Sequence, residues 1–123
     1  MAPDEVDAVS AHATGTPAGD VAETRALRMA LGARAERVPV SATKSMHGHG
    51  FGAAGAIETA LAVAAMNAGV VLPTINLGAA DPACDLDYVP HQARRHPVRV
   101  LLKNGFGAGG VASCLVIRRD PSA

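Results

Sequence analysis

The chain has 123 residues, 49% of them apolar, and its eleven basic residues balance eleven acidic ones. This length suits one domain with its own core, and the balanced charge provides no basic surface for nucleic acid or an anionic membrane. Two cysteines are too few for a disulfide framework, and no secretory leader opens the sequence, so a cytoplasmic location is expected. We expect one domain over residues 1–123, frayed only at residues 1–5 and 120–123.

The first elements in chain order are a strand and an amphipathic helix. Residues 6–11 alternate as a half-buried strand does, and a loop rich in Gly, Pro and Thr follows. Residues 20–32 have apolar side chains at helical spacing, with Asp20 as the expected cap and Gly32 at the end. The pattern predicts Val21, Leu27 and Leu31 toward a core and Glu23, Arg25 and Arg28 toward solvent.

The remaining elements predict a layered α/β domain. Residues 37–43 read as a short strand, and residues 48–68 as a helix apolar on nearly every side, enclosed by protein and not by lipid. Three prolines break residues 69–93 into a long connection. Residues 97–106 and 110–119 then predict two strands separated by a glycine cluster. The order β, α, β, α, connection, β, β is typical of a layered α/β arrangement.

Two segments, "GFGAAG" at residues 50–55 and "GFGAGG" at residues 105–110, fit the glycine pattern of dinucleotide sites. Such a site needs a strand leading directly into the first glycine, a helix after it, and an acidic residue ending the next strand. The first segment lies seven residues beyond its strand, and the second lies between two strands. We therefore reject nucleotide binding and expect the first cluster to serve helix packing and the second to border a site.

Several polar residues lie at the ends of predicted elements. His12 ends a strand, Lys44 ends another, and His49 begins the apolar helix. Ligands collect at the carboxyl ends of strands in open α/β sheets. Each histidine alone is also explained as a capping or core residue, and His12, His47 and His49 together could form a metal site, although no carboxylate or thiol sits beside them at ligand spacing. Neutral imidazoles could instead donate hydrogen bonds to an oxyanion.

Glu58 lies inside the most apolar predicted helix, where an unpaired carboxylate is costly. It needs a cation, and Lys44 is the nearest candidate in the sequence. Pairing would keep both groups charged and direct the ammonium toward the histidines. The alternative is that Glu58 reaches water through a gap in the packing.

Four segments together resemble the C-terminal half of the β-ketoacyl-acyl carrier protein synthases, the condensing enzymes of fatty acid and polyketide assembly. The segments are "AHATGTPAGDVAETRAL", "VPVSATKSMHGHGFGAAGAIE", "PTINLGAADPACDLDYVP" and "KNGFGAGG". They cover nearly the whole chain in the family's order. The resemblance implies the C-terminal lobe of the thiolase-like fold, a layered α/β/α structure that is incomplete without an N-terminal half.

The resemblance also implies a reaction and a set of site residues. In this family a cysteine holds an acyl chain, and a malonyl unit on acyl carrier protein loses carbon dioxide and attacks it. The family's two histidines correspond to His12 and His49, and its lysine and glutamate correspond to Lys44 and Glu58. The resemblance implies that Thr14 and Thr16 contact the phosphopantetheine arm. It also implies substrate contacts for Phe106, Gly107 and Ala108. No cofactor is implied, because the substrates travel on the carrier protein's phosphopantetheine.

The chain departs from the family pattern at several positions. The nucleophilic cysteine belongs to the family's N-terminal half, and neither Cys84 nor Cys114 looks like a substitute. Ala13 replaces a glycine, Gly105 a serine, Ala108 a bulky gate residue and Ala112 an asparagine. The leading expectation is half of a split or multi-subunit ketosynthase in a hetero-oligomer, with the cysteine on a partner chain. The alternative is a non-catalytic structural or regulatory subunit.

Overall fold

The computed structural model describes residues 1–79 and 81–120 and contains two sheets and three α-helices in that part of the chain. The strands are β1 (Ala8–Ser10), β2 (Val40–Ser41), β3 (Val70–Val71), β4 (Arg94–Arg95), β5 (Val100–Gly107) and β6 (Val111–Arg118). The helices are α1 (Pro17–Leu31), α2 (Lys44–His47) and α3 (Ala54–Ala68). The predicted elements are present in this order, and the short α2 was not predicted. The brief β3 lies at the start of the predicted connection and β4 directly after its end.

The main sheet has the strand order β2-β1-β5-β6. Strand β1 runs parallel to both of its neighbours, whereas β6 pairs antiparallel with β5 through a tight hairpin. Strands β3 and β4 form a separate antiparallel ribbon. Because β1, β2 and β5 are parallel, their carboxyl ends meet at one edge of the sheet, and the residues that follow them are brought together there.

The sheet separates two apolar clusters, which makes the domain three-layered. Val9 of β1 and Leu102 of β5 pack with Leu27 and Leu31 of α1. Their sequence neighbours in the strands, Ala8 and Leu101, turn to the opposite face and pack with Ala62 and Met66 of α3. Successive strand residues face opposite sides of a sheet, so α1 covers one face and α3 the other.

Helix α1 begins earlier than predicted, and one of its faces was assigned wrongly. Pro17 opens the helix, so Asp20 lies in its first turn, where the carboxylate accepts a hydrogen bond from the Gly15 amide at 3.2 Å. Asp20 is therefore not the cap, but Gly32 does close the helix. The prediction that Glu23 faces solvent is wrong, since this residue is 5% exposed. Glu23 shares the stripe of Leu27 and Leu31, at a spacing of four residues.

Helix α3 also differs from its prediction. A short 3₁₀ turn, Phe51–Ala53, precedes it, so the α-helix proper begins six residues later than expected. Within this chain α3 is buried along one face only, and Ile57 on another face is exposed. The window Phe51–Ala68 has the length and mean hydropathy, 1.3, of a membrane span, as apolar core helices often do. No other described element covers the exposed face of α3, so it is not enclosed here.

The hairpin of β5 and β6 forms one edge of the sheet. Strand β5 is buried over most of its length, whereas nearly all of β6 is exposed, including Val111, Leu115 and Val116. At the amino terminus the expected fraying is wrong for residues 3–5, which form a 3₁₀ turn whose Glu5 pairs with Arg118 of β6 at 3.2 Å. The expected fraying of residues 121–123 lies outside the described part of the chain.

Candidate functional site

His12 lies in a loop that the side chain of Glu23 holds in place. The backbone amides of His12 and Ala13 donate to the two oxygens of the Glu23 carboxylate at 2.9 and 2.8 Å. The side-chain amide of Asn104, on β5, donates to the same carboxylate at 2.9 Å. Ala13 has a φ of 32°, in the region that favours glycine. The buried Glu23 therefore connects the loop of His12 to β5 through hydrogen bonds.

Lys44 reaches from the first residue of α2 to the imidazole of His12. Its Nζ is 3.3 Å from His12 Nδ1 and forms an ion pair with Glu58 Oε1. The predicted pairing of Lys44 with Glu58 is therefore present, and both side chains are buried. Glu58 does not reach water through a gap, since it is 0% exposed.

A second lysine binds the same carboxylate. Lys103 of β5 places its Nζ 2.6 Å from Glu58 Oε2, and it also donates to the backbone carbonyl of Asn104. Burial raises the pKa of Glu58, but the contacts with Lys103 and Lys44 together outweigh it and hold that pKa below its ordinary value. Glu58 is therefore ionised at neutral pH.

The hydrogen bonds of the two histidines determine which nitrogen carries a proton. An ammonium group can only donate, so His12 Nδ1 accepts from Lys44 and the proton of the neutral ring lies on Nε2. His49 Nδ1 accepts from the Phe51 amide at 3.1 Å, which also leaves its Nε2 as the donor. Burial, followed by the charge of Lys44, lowers the pKa of His12 and keeps the ring neutral. The site therefore presents two neutral imidazole N–H donors.

Both histidines line one open cleft of about 630 Å³. Their ring centroids are 5.4 Å apart. Phe106 of β5 packs edge-on against His12 at 5.5 Å, and Phe51 stacks on His49 at 5.1 Å. Phe51 is 83% exposed and has a φ of 46°, so a non-glycine residue is held in the left-handed region to place this ring. Aromatic rings thus flank both donors.

The substrate-contact residues implied by the family divide between two clefts. Thr14, Phe106, Gly107 and Ala108 line the same cleft as the histidines. Thr16 lines a neighbouring groove instead, although its hydroxyl lies 3.0 Å from that of Thr14. Gly107 ends β5 and Ala108 begins the turn, whose Gly109 and Gly110 both have positive φ values. The turn is therefore free of backbone strain only when both positions are glycine.

His47 does not join the other two histidines. Its Nε2 lies 3.2 Å from the Thr43 hydroxyl, within its own helical turn. Among residues 1–79 and 81–120 no group of three or more His, Cys, Asp or Glu side chains is arranged to hold a metal ion. Cys84 is half-buried, Cys114 lies exposed on β6, and neither lines the cleft of the histidines.

Sequence reasoning missed Glu23, Lys103, Asn104 and Phe51. The signal for Glu23 was its spacing from Leu27, which places it on the buried stripe of α1. The signal for Lys103 was its position directly after three apolar strand residues, in "VLLK". The exposed Phe51 had no local signal, because its role depends on the position of His49.

Comparison with known proteins places these features in a family. Residues 1–78 match the family described as "Beta-ketoacyl synthase, C-terminal domain". The chain is 46% identical over 119 residues to 3-oxoacyl-[acyl-carrier-protein] synthase 2 of Coxiella burnetii, covering 97% of this chain and 29% of that protein. It is 46% identical over 116 residues to the tetracenomycin polyketide synthase ketoacyl synthase alpha subunit of Streptomyces glaucescens, covering 94% and 27%.

A solved structure shows the same fold. It contains a type II polyketide synthase acyl-carrier protein in complex with its ketosynthase, and the chain matches it with a TM-score of 0.94 at 38% identity. The match covers 96% of this chain and 29% of that one. The chain thus spans less than a third of the length of these relatives, and the expected thiolase-like ketosynthase fold is confirmed.

Proposed function

This chain belongs to the β-ketoacyl synthase family and carries the family's C-terminal domain, and we propose that it supplies the enolate-stabilising part of a decarboxylating ketosynthase. The observation that supports this is the pair of neutral imidazole N–H donors, His12 and His49, on one cleft. Fixed donors aimed at a developing oxyanion are among the largest contributions to catalysis. Lys44 and Glu58 hold one of the two donors in place.

The proposed reaction uses these donors in its first step. When the malonyl thioester loses carbon dioxide, the electron pair of the broken C–C bond passes into the thioester and leaves an enolate oxygen. The Nε2–H groups of His12 and His49 donate hydrogen bonds to that oxygen. The enolate carbon then attacks an acyl thioester on cysteine, a new C–C bond forms, and the C–S bond breaks to release the thiolate. Neutral rings suit this role because neither has to change its protonation.

The substrate arm would enter past the threonines. We place a phosphopantetheine arm of acyl carrier protein along Thr14 and Thr16, whose adjacent hydroxyls lead from one groove to the cleft of the histidines. Phe106, Gly107 and Ala108 would then border the acyl chain. The substrates arrive attached to the carrier protein, so the proposal requires no cofactor of the chain's own.

The nucleophilic thiol is proposed to come from a partner chain. Neither cysteine of this chain lines the cleft, which supports a nucleophile held outside these 123 residues. The exposed apolar side chains of β6 and α3 offer a face for such a partner. The proposal is thus a hetero-oligomeric, cytoplasmic ketosynthase that also docks acyl carrier protein.

Reconstitution tests this proposal. We expect the 123 residues produced alone to be inactive and to self-associate, because the edge strand β6 exposes Val111, Leu115 and Val116, with Val111 67% exposed. Co-expression with a cysteine-bearing N-terminal ketosynthase half should yield a soluble complex that releases carbon dioxide from malonyl-acyl carrier protein. Size-exclusion chromatography and labelled carbon dioxide release are the measurements.

The outcomes separate the alternatives. A monodisperse monomer that melts cooperatively would contradict the need for a partner face. Activity that appears only when the two halves are joined in one polypeptide would contradict the separate partner chain. A soluble complex that never decarboxylates malonyl thioester would favour the alternative of a structural or regulatory subunit.

Ala108 is expected to widen the acyl pocket. The family has a bulky gate residue there, and alanine beside two positive-φ glycines cannot close the cleft that it lines. We expect the complex to accept long or rigid acyl chains and Ala108→Phe to restore discrimination against them. The alternative is that the turn only connects β5 with β6 and that alanine has no role. Acyl loading across short and long carriers is the measurement.

A matched variant separates a gate from a general disturbance of the turn. Ser113→Phe adds the same ring to an exposed residue of β6 that does not line the cleft and lies on the sheet face opposite to that of Phe106. It should leave the chain-length profile unchanged. An identical profile for wild type and Ala108→Phe would show that Ala108 is not at the gate.

A further inference from the structure

The chain contains only two lysines, and both bind Glu58. All nine other basic residues apart from histidine are arginines. Lys44 and Lys103 approach different oxygens of the Glu58 carboxylate. Lysine carries its charge on a compact ammonium group that fits beside a single carboxylate oxygen. We call Lys44, Glu58 and Lys103 the charge cluster.

The alternation of β5 explains how Lys103 reaches this position. Asn104 turns to the α1 face and donates to Glu23, so its neighbour Lys103 turns to the α3 face, where Glu58 lies. Lys103 is 3% exposed. Within the described residues, Glu58 is the only carboxylate that pairs with either lysine. Glu23 is the other buried carboxylate near this site, and it accepts from the backbone amides of His12 and Ala13.

The buried charges near His12 balance only when Lys103 is counted. Lys44 and Lys103 contribute two ammonium groups, and Glu58 and Glu23 contribute two carboxylates. Without Lys103 one negative charge would be in excess beside the two histidines. We propose that Lys103 binds Glu58 to offset this charge, so that no net negative charge opposes the enolate oxygen at His12 and His49. This inference rests on the function proposed above.

The charge of Lys44, once Lys103 offsets Glu58, lies close to the reacting atoms. Lys44 Nζ lies 3.3 Å from His12 Nδ1, and the other nitrogen of that ring is a donor on the cleft. A positive charge behind the ring strengthens the Nε2–H as a donor and favours the negative enolate oxygen. Fields act strongly inside a protein, where screening by water is weak. Lys103 touches no substrate in this scheme, so it is a positioning residue.

The first measurement is the charge of each lysine in the assembled complex. With the chain labelled by ¹⁵N-lysine, only two side-chain nitrogen signals arise from it, and Lys103→Met assigns them. We expect both nitrogens to be ammonium groups at neutral pH. A neutral amine at Lys103 would leave the negative charge without an offset and overturn the inference.

The second measurement is catalytic. Lys103→Met removes the charge and keeps a flexible stem of similar size, so we expect kcat for malonyl decarboxylation to fall about tenfold with KM unchanged, less than for loss of a direct donor. Arg25→Met removes one charge from an exposed site of α1 and should leave kcat unchanged. Lys103→Arg keeps the charge and should recover most of the rate.

The results distinguish this inference from the proposed function. An unchanged kcat in a folded Lys103→Met complex, or a lower Tm without any loss of kcat, would mean that Lys103 serves only packing. A wild-type complex with two ammonium signals but no decarboxylation would contradict the proposed function, and with it the catalytic role of Lys103, while establishing the charge of the cluster.

Discussion

Glu58→Gln should lower the free energy of unfolding by about 3–5 kcal/mol, the range for removing one partner of a buried ion pair. The substitution conserves shape but leaves the ammonium groups of Lys44 and Lys103 buried without an anion. Thermal melts of the assembled complex, with wild type in parallel, are the measurement. Lys44→Ala should cost less stability, because Glu58 keeps its contact with Lys103.

A surface pair provides the control. Glu36→Gln removes an exposed partner of Arg28 and should change stability by no more than about 1 kcal/mol. Equal Tm values for Glu58→Gln and Glu36→Gln would contradict the buried cluster.

The same cluster predicts a dependence on pH. The pKa of Glu58 is lowered in the folded protein, so the unfolded chain takes up a proton first as the pH falls. Its contribution to stability is therefore complete above the ordinary value of 4.5 and is lost as the pH falls below it. The loss of stability at acid pH should be smaller in Glu58→Gln than in wild type, since glutamine has no proton to bind.

Local pattern predicted most of the fold. The strand at β1, the helix ended by Gly32 and the final hairpin each follow from short-range periodicity and glycine positions, which the structure confirms. Polar residues at the ends of elements also located His12 and Lys44 correctly, because parallel strands bring their carboxyl ends together.

The errors concern buried charge, which local pattern describes poorly. Glu23 was placed in solvent because carboxylates are seldom buried, yet Asn104, 81 residues further along the chain, supplies a partner. Lys103 was missed because its partner Glu58 lies on a different element across the sheet. Burial of a charge depends on which distant group the fold brings to it. The burial of α3 on all sides was over-predicted for a similar reason. The residues of a helix do not show which other elements cover each of its faces.

His49→Ala and His12→Ala should each lower decarboxylation and condensation by about a hundredfold or more, the usual effect of losing one oxyanion donor. Acylation of the partner's cysteine should continue in both variants, because the two imidazoles are assigned to the enolate and not to the thiol. His12→Ala should also disturb Lys44, whose Nζ loses its acceptor at Nδ1. His49 makes no contact with the charge cluster, so His49→Ala is the cleaner test.

The closest control is His47→Ala, which removes an exposed imidazole two residues from His49. Its ring bonds to Thr43 and does not line the cleft, so turnover should stay at the wild-type level. Acylation measured by intact-mass analysis and carbon dioxide release measured on the same samples separate the two half-reactions. Unchanged decarboxylation in folded His49→Ala would remove His49 from the mechanism. Equal losses in His47→Ala and His49→Ala would instead indicate a general disturbance of the segment that follows β2, because only one of these two rings faces the cleft.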